Sequence, residues 1–131
     1  MGGCICLYEN VEGIDIKNFS KLVEIIDKNS VDFILCTPSY YSGLLSTAHS
    51  LNSLLNVYLC GEIITDRLIA LHATIAPAAN LYNSYGPSEY AIGSTAGKIY
   101  DGTTRQKSPM SVGKPFYKNE LYILDHNFVP V

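Results

Sequence analysis

Residues 31–38, Val-Asp-Phe-Ile-Leu-Cys-Thr-Pro, combine the two signals that decide the fold. The first six of them form a short, mainly apolar run, which is typical of a buried strand. Thr37 then offers a side-chain oxygen at a helix N-cap, and Pro38 suits the first helical position because its missing N–H is not needed there. The stretch therefore predicts a strand that leads directly into a helix, running from Pro38 to about His49.

The same alternation continues on both sides of this stretch. Apolar residues recur at helical spacing between Asp15 and Lys28, and Thr65-Asp66 opens a third helical segment. Strands that alternate with helices form right-handed βαβ units with a parallel sheet. We therefore expect one α/β unit with a β-rich C-terminal tail. The remaining predicted strands and extended segments are Ile5–Tyr8, Leu55–Cys60, Asn80–Ser84, Ser94–Tyr100 and Glu120–Leu124.

The composition indicates one ordinary domain. The 131 residues are 47% hydrophobic and 16% charged, with a formal net charge of −3. A chain of this length can bury roughly two thirds of its unfolded surface in a core. Nucleic-acid binding needs a basic patch, and a membrane span needs roughly 18 consecutive apolar residues. The sequence offers neither, so we expect no nucleic acid and no membrane among its partners.

The four cysteines do not form a metal-binding pattern. Cys4 and Cys6 are two residues apart, whereas Cys36 and Cys60 each end a separate apolar run. Zinc sites need ligands paired at short spacing, so we expect no zinc and interpret the cysteines as buried, reduced thiols. Such thiols suit a reducing compartment, which predicts a cytoplasmic location.

The densest group of chemically useful side chains is Tyr82-Asn-Ser-Tyr-Gly-Pro-Ser-Glu89, which ends a predicted strand. In open α/β sheets, ligands bind beyond the carboxyl ends of the strands. The Ser88 hydroxyl can donate to a phosphate, Glu89 can hold a divalent cation, and Tyr85 can stack on a nucleobase. The alternative is a plain strand–turn–helix junction in which Ser88 only caps the helix.

Other catalytic patterns receive less support. Gly93-Ser-Thr-Ala-Gly-Lys98 is one residue too short between its glycines for a P-loop, and Ile99 replaces the required Ser or Thr. This segment is better explained as a strand. No serine stands in a G-x-S-x-G context. Acid–base chemistry by Glu62 and Glu89, which both lie at predicted strand ends, stays open.

Several stretches resemble the adenylate-forming enzymes, especially the amino-acid adenylation domains of nonribosomal peptide synthetases. Val57–Glu62 resembles their "GGE" strand end, and Leu81–Glu89 resembles "NxYGPTE". Val31–Leu45 is similar to a strand with a "TPS" helix, and Val112–Pro115 with Asn119–Asp125 is similar to "IGKPxxNxxxYVLD". The resemblance implies a flavodoxin-like parallel sheet with flanking helices. It also implies that such an enzyme joins a carboxylic acid to ATP and passes the acyl group to a carrier-protein thiol.

The resemblance implies a site for ATP or AMP with Mg²⁺. Tyr85 would stack on adenine, and Ser84 with the Gly61-Glu62 turn would contact the adenine edge. Ser88, where the family more often has Thr, would touch the α-phosphate. Glu89 would help to coordinate Mg²⁺. The implied cofactor-binding residues are Gly61, Glu62, Asn83, Ser84, Tyr85, Gly86 and Ser88.

The resemblance also implies an amino-acid pocket built on the same strand ends. Its side chains are uncharged, which favours a neutral, hydrophobic or small amino acid because a buried charge would lack a partner. Ordinary core packing is the alternative explanation for its apolar members. Cys60 before Gly-Glu also resembles the D-alanyl carrier-protein ligases, so that class stays open. The implied substrate-binding residues are Leu35, Tyr58, Cys60, Ser84, Ile92 and Gly93.

Several elements of the resembled family are missing from residues 1–131. They are the lysine-bearing phosphate loop, two substrate- and ribose-binding aspartates, and the small C-terminal domain with its catalytic lysine. Because adenylation needs these groups together, we expect a partial adenylation domain that is inactive alone and has no tightly bound cofactor. A non-catalytic binding or scaffold domain and a complete small α/β enzyme are the alternatives. Bare packing faces would favour self-association.

Overall fold

The computed structural model describes residues 3–6, 18–90, 93–107, 109–116 and 118–131. Within these ranges the chain forms three helices and a five-stranded sheet, with a short 3₁₀ turn at Ser88–Tyr90. The helices are α1 (Phe19–Lys28), α2 (Pro38–Thr47) and α3 (Asp66–Ile75), and the strands are β1 (Phe33–Cys36), β2 (Asn56–Leu59), β3 (Asn80–Tyr85), β4 (Thr95–Tyr100) and β5 (Lys114–Pro115).

The sheet is mixed, and its strand order is β1-β2-β3-β4-β5. Strands β1, β2 and β3 are parallel, while β4 runs antiparallel to β3 and β5 runs antiparallel to β4. The predicted α/β fold with parallel strands and flanking helices is confirmed. The segment that superficially matched a P-loop forms most of β4, in agreement with its interpretation as a strand.

The helices begin at side-chain caps. The Thr37 hydroxyl oxygen accepts a hydrogen bond from the Tyr40 N–H at 3.3 Å, and Thr65 does the same for Leu68 at 3.3 Å. Each cap satisfies one of the N–H groups that a helix N-terminus leaves without an internal partner. Both starts were predicted from the sequence. They fix where β1 and β2 turn into helices, and therefore where the strand ends lie.

The hydrophobic core lies on one face of the sheet. Side chains of β2, β3 and β4 alternate, so that Val57, Leu59, Leu81 and Ile99 are buried in one cluster with residues of α2 and α3. The opposite face carries an aromatic row. Tyr58 and Tyr82 stack with ring centroids 4.3 Å apart, and the half-exposed Phe33 ring lies 5.4 Å from Tyr58. The sheet therefore has one packed face and one partly open face.

The segment Glu120–Leu124, predicted to be extended, pairs with the chain's own last residues: the Val131 N–H donates to Ile123 O, and Leu124 bridges Pro130. The prediction of buried cysteines is wrong in part. Cys4 and Cys6 are exposed rather than buried, while Cys36 and Cys60 are half-buried. All four thiols are free. Ile5 and Cys6 lie outside any strand, and the rest of the predicted Ile5–Tyr8 strand lies outside the described residues.

Among the described residues, no helix is long and apolar enough to cross a membrane.

Candidate functional site

A cavity of about 860 Å³ lies at the carboxyl ends of β2 and β3. The turn from β2 to α3 lines it with Gly61–Ile64, and the end of β3 lines it with Asn83–Gly86. The structure thus brings six of the seven predicted cofactor-binding residues to one cavity. They are Gly61, Glu62, Asn83, Ser84, Tyr85 and Gly86.

Two of these residues are distinguished by their backbone conformation or their exposure. Gly61 has φ = +83°, a left-handed conformation that favours glycine, and it turns the chain sharply after β2. The Tyr85 side chain is 52% exposed at the end of β3. A half-exposed ring at the rim of a cavity is available for stacking against a flat ligand.

Glu62 lines the cavity, but its carboxylate is hydrogen-bonded to Ser39 of α2. Oε2 accepts a hydrogen bond from the Ser39 N–H at 2.9 Å, and Oε1 accepts one from the Ser39 hydroxyl at 2.8 Å. These bonds hold the pKa of the Glu62 carboxyl below its ordinary value. The anion also lies at the N-terminus of α2, where the helix dipole favours negative charge. The carboxylate therefore fixes the β2–α3 turn to α2.

The Ser84 hydroxyl is also engaged within the fold. It is buried and donates a hydrogen bond to Thr95 O across the β3–β4 pair at 3.1 Å. The sequence could not show this bond, because it joins residues on an antiparallel pair whose register is set by the whole sheet. Ser84 therefore helps to hold the end of β3 in place beside the cavity.

A third wall of the cavity was not predicted from the sequence. It consists of Pro109, Met110 and Val112, from the segment between β4 and β5. Gly113, which ends this segment, has φ = +81°, and a Cβ there would lie 2.0 Å from Ala96 O. Such a contact is sterically impossible, so the segment lies directly against β4 only because residue 113 is glycine. A glycine directly before Lys114-Pro115 was the available signal. Ile63 and Ile64 also line the cavity and were not predicted.

Ser88 and Glu89 lie outside the lining of this cavity. Both are exposed residues of the Ser88–Tyr90 turn, which directly follows the cavity-lining residues Tyr85 and Gly86. Ser88 begins a 3₁₀ turn that runs to Tyr90, and residues 91–92, which follow it, lie outside the described part of the chain. In the part of the chain that the structure describes, no group of three or more His, Cys, Asp or Glu side chains could hold a metal ion.

Four of the six predicted substrate-binding residues lie on the open face of the sheet. Leu35 pairs in register with Tyr58 on the neighbouring strand, so the two side chains lie on the same face. Cys60 and Ser84 follow by alternation along β2 and β3. Gly93 lies instead against the Phe116 ring, where a Cβ would be 2.8 Å from the nearest ring carbon. Ile92 lies outside the described residues.

The whole sequence matches one protein-family model, described as AMP-binding enzyme, over residues 1–131. The chain belongs to the AMP-binding enzyme family. The fold, in which two strand ends meet at a cavity, is therefore that of a family described as AMP-binding.

The following two relatives are much longer than the chain. Bacitracin synthase 3 of Bacillus licheniformis is 30% identical over 111 residues, which is 84% of this chain and 2% of that protein. The D-alanine–D-alanyl carrier protein ligase of Lactococcus lactis is 30% identical over 120 residues, which is 87% of this chain and 24% of the ligase. The chain thus spans a small part of each relative.

A solved structure shows the same fold. The four-domain nonribosomal peptide synthetase AB3403, solved with AMP and glycine bound, superposes with a TM-score of 0.69 at 25% sequence identity. The superposition covers 88% of this chain and 8% of that one. The chain is therefore similar in sequence and structure to a piece of amino-acid adenylation enzymes.

Proposed function

We propose that the chain supplies the adenine-nucleotide pocket, and one side of the amino-acid pocket, of an ATP-dependent enzyme that activates an amino acid as its adenylate. In such an enzyme the acyl group then passes to a carrier-protein thiol. The observation that carries the proposal is the cavity of about 860 Å³ that the ends of β2 and β3 form together in an AMP-binding family member. Its volume is typical of pockets for small ligands.

The walls of the cavity suit a flat base. Tyr85 offers a half-exposed ring for stacking, and stacking of bases on aromatic side chains is a sequence-tolerant source of affinity. Ile64, Met110 and Val112 add apolar surface to the same cavity. The Glu62 carboxylate is already hydrogen-bonded to Ser39. The polar groups that Gly61 and Glu62 would offer to the edge of the base are therefore those of their backbone.

The phosphates would extend from the cavity toward the Ser88–Tyr90 turn. Ser88 would donate its hydroxyl to the α-phosphate, and Glu89 would supply one carboxylate to Mg²⁺. Mg²⁺ usually keeps several waters and binds through one or two carboxylates together with the phosphates of its substrate. The exposed Glu89 carboxylate in this turn fits the arrangement, since the cation would neutralise phosphate charge without a complete protein cage.

The amino acid would lie on the open face of the sheet, at Leu35, Tyr58 and Cys60. These side chains carry no formal charge, which favours a neutral side chain on the substrate. A second candidate is activation of D-alanine for a carrier protein. It is supported by Cys60 before Gly61-Glu62 and by the 30% identity to the Lactococcus lactis ligase. Both candidates use the same chemistry and differ in the amino acid.

The nucleotide site is tested by titrating AMP into the 131-residue chain and following amide resonances by NMR, which detects weak binding. We expect saturable shifts at the ends of β2 and β3, with an affinity weaker than micromolar. Tyr85→Ala should abolish these shifts, because it removes the stacking surface. Tyr122→Ala is the matched control, since Tyr122 is 64% exposed and lies outside both the cavity lining and the Ser88–Tyr90 turn. If Tyr85→Ala bound AMP as tightly as the control variant and the wild type, the stacking role would be refuted.

The activity is tested by ATP–pyrophosphate exchange with a panel of amino acids that includes glycine and D-alanine. We expect no exchange by these 131 residues alone, because several groups must cooperate in adenylation. Robust amino-acid-dependent exchange would overturn the proposal that the chain supplies only part of the machinery.

A further inference from the structure

We propose that Asn83 is a positioning residue that holds residues 109–112 as the third wall of the cavity, with Met110 as the side chain that contacts the base. This inference rests on the proposed function, since it assumes that the cavity binds a nucleotide. It adds a role for a segment that the sequence motifs at the strand ends do not include.

The first observation is a direct bond between the two walls. Asn83 Nδ2, at the end of β3, donates a hydrogen bond to Ser111 O at 3.0 Å, across 28 residues of sequence. Ser111 lies between Met110 and Val112, which both line the cavity, as Asn83 itself does. The bond therefore attaches the middle of the third wall to the strand that carries Tyr85.

The second observation is the close approach of this segment to β4. A Cβ at Gly97 would lie 2.8 Å from the Gly113 Cα, and a Cβ at Gly113 would overlap Ala96. The Gly113 N–H also donates to the Ser111 hydroxyl oxygen at 3.0 Å. Backbone contact with β4 thus fixes the end of the segment, while Asn83 fixes its centre. Loss of Asn83 would release the part that faces the cavity.

The third observation concerns Met110. It is half-buried, packs against the hydrophobic core and lines the cavity at the same time. A methionine side chain is flexible and polarisable, and it makes favourable contacts with aromatic rings. A wall of this kind recognises a planar aromatic base and contributes little to binding of a bare sugar phosphate.

Methyl NMR can test the contact directly, because the chain contains only two methionines, Met1 and Met110. In protein labelled with ¹³C at the methionine methyl groups, AMP should shift the Met110 resonance saturably through the ring current of the base. Ribose 5-phosphate at the same concentration should not produce that shift. The Met1 resonance is the internal reference, and Met110→Leu identifies the two signals.

Variants of Asn83 test the positioning role. Asn83→Ala should shift the Met110 methyl resonance before any ligand is added. It should also weaken AMP binding about tenfold, because it removes the hydrogen bond that positions the wall. Asn83→Asp lacks the donor and should behave like Asn83→Ala, whereas Asn83→Gln should restore part of the affinity. Asn80→Ala is the matched control, since Asn80 lies at the other end of β3 and outside the cavity lining. Met110→Ala should reduce the preference for AMP over ribose 5-phosphate even if Asn83→Ala fails to fold.

The outcomes separate the two proposals. If AMP shifts amide resonances at Tyr85 but not the Met110 methyl resonance, and the Asn83 variants bind AMP as tightly as the wild type, the inference is wrong. The nucleotide site then still stands. If AMP changes no resonance of the wild-type chain, the proposed function fails. In that case the ligand-free spectrum of Asn83→Ala still tests the attachment of the wall: an unmoved Met110 resonance would overturn it.

Discussion

The carboxylate of Glu62 accepts two hydrogen bonds from Ser39, one from its backbone N–H at 2.9 Å and one from its hydroxyl at 2.8 Å. Glu62 follows β2 and lines the cavity, while Ser39 lies in the first turn of α2. The pair therefore joins two successive βα units at the edge of the candidate site. The arrangement resembles a helix cap contributed from a distant turn.

Replacing Glu62 by Gln should destabilise the fold at neutral pH, because an amide accepts these bonds more weakly than a carboxylate. The folded-state pKa of Glu62 is lowered by the Ser39 bonds, relative to an ordinary value of 4.5. Its contribution is therefore complete above about pH 4.5 and is lost as the pH falls through the folded-state pKa. Urea unfolding at pH 7 and pH 3 measures this.

The matched control is Glu24→Gln, which removes the carboxylate of a surface ion pair with Lys21. Such exposed pairs contribute little to stability. A Glu62→Gln variant that loses no more stability at pH 7 than the control would show that the Ser39 bonds are not important.

His72 should make the protein less stable in mild acid. Its side chain is fully buried, with Nε2 at 2.9 Å from Ala79 O and Nδ1 at 2.8 Å from the Tyr41 hydroxyl. A carbonyl can only accept, so Nε2 carries the proton and Nδ1 accepts from Tyr41. Burial lowers the pKa of His72 below its ordinary value of 6.5, although the bond to Ala79 opposes this. The unfolded chain therefore binds a proton that the folded chain excludes, and stability should decline as the pH falls below about 6.5.

The measurement is the free energy of unfolding between pH 8 and pH 5, compared with His72→Gln. The variant should be less stable by about 1–3 kcal/mol at pH 8, because buried polar groups lose partners, but its stability should fall less steeply toward pH 5. The exposed His49, replaced by Gln, serves as the control. Equal slopes for wild type and His72→Gln would contradict the assignment.

The order of helices and strands was predictable because its signals are local. Thr37-Pro38 and Thr65-Asp66 mark helix starts, and the apolar runs before them are strands in the structure. The antiparallel direction of β4 was not predicted. Residues 86–94 lie between β3 and β4 and contain no two-residue hairpin signature, so the direction of β4 depends on which sheet edge remains unpaired.

The candidate site was predictable only where it lies at strand ends. The residues of Gly61-Glu62 and Asn83–Gly86 meet because β2 and β3 are adjacent and parallel. The wall formed by Pro109, Met110 and Val112 has no periodicity of its own, and contacts across many residues bring it to the cavity. Likewise, the engagement of Glu62 with Ser39 has no local sequence signal.

Gly113→Ala should destabilise the protein and detach the third wall. The left-handed φ of +81° costs a residue with a side chain about 1–2 kcal/mol, and overlap of the new Cβ with Ala96 O adds to that cost. Chemical unfolding gives the loss of stability, and the Met110 methyl resonance reports the wall. Gly3→Ala is the control, because a Cβ there meets nothing within 4 Å. Wild-type stability and an unchanged Met110 signal in Gly113→Ala would refute the close approach.

Thr95→Val should stabilise the protein. Thr95 is 1% exposed in β4, and its hydroxyl is buried without a hydrogen-bond partner in the described part of the chain. A hydroxyl in that position has lost its bonds to water and gained none, so valine of nearly the same shape should raise the free energy of unfolding by about 1 kcal/mol. The bond from the Ser84 hydroxyl survives, because it is accepted by the Thr95 backbone carbonyl. Thr103→Val is the control, since the exposed Thr103 hydroxyl donates to Asp101 at 3.0 Å and its removal should bring no gain. A less stable Thr95→Val protein would mean that the hydroxyl has a partner, such as an ordered water between β4 and its neighbours.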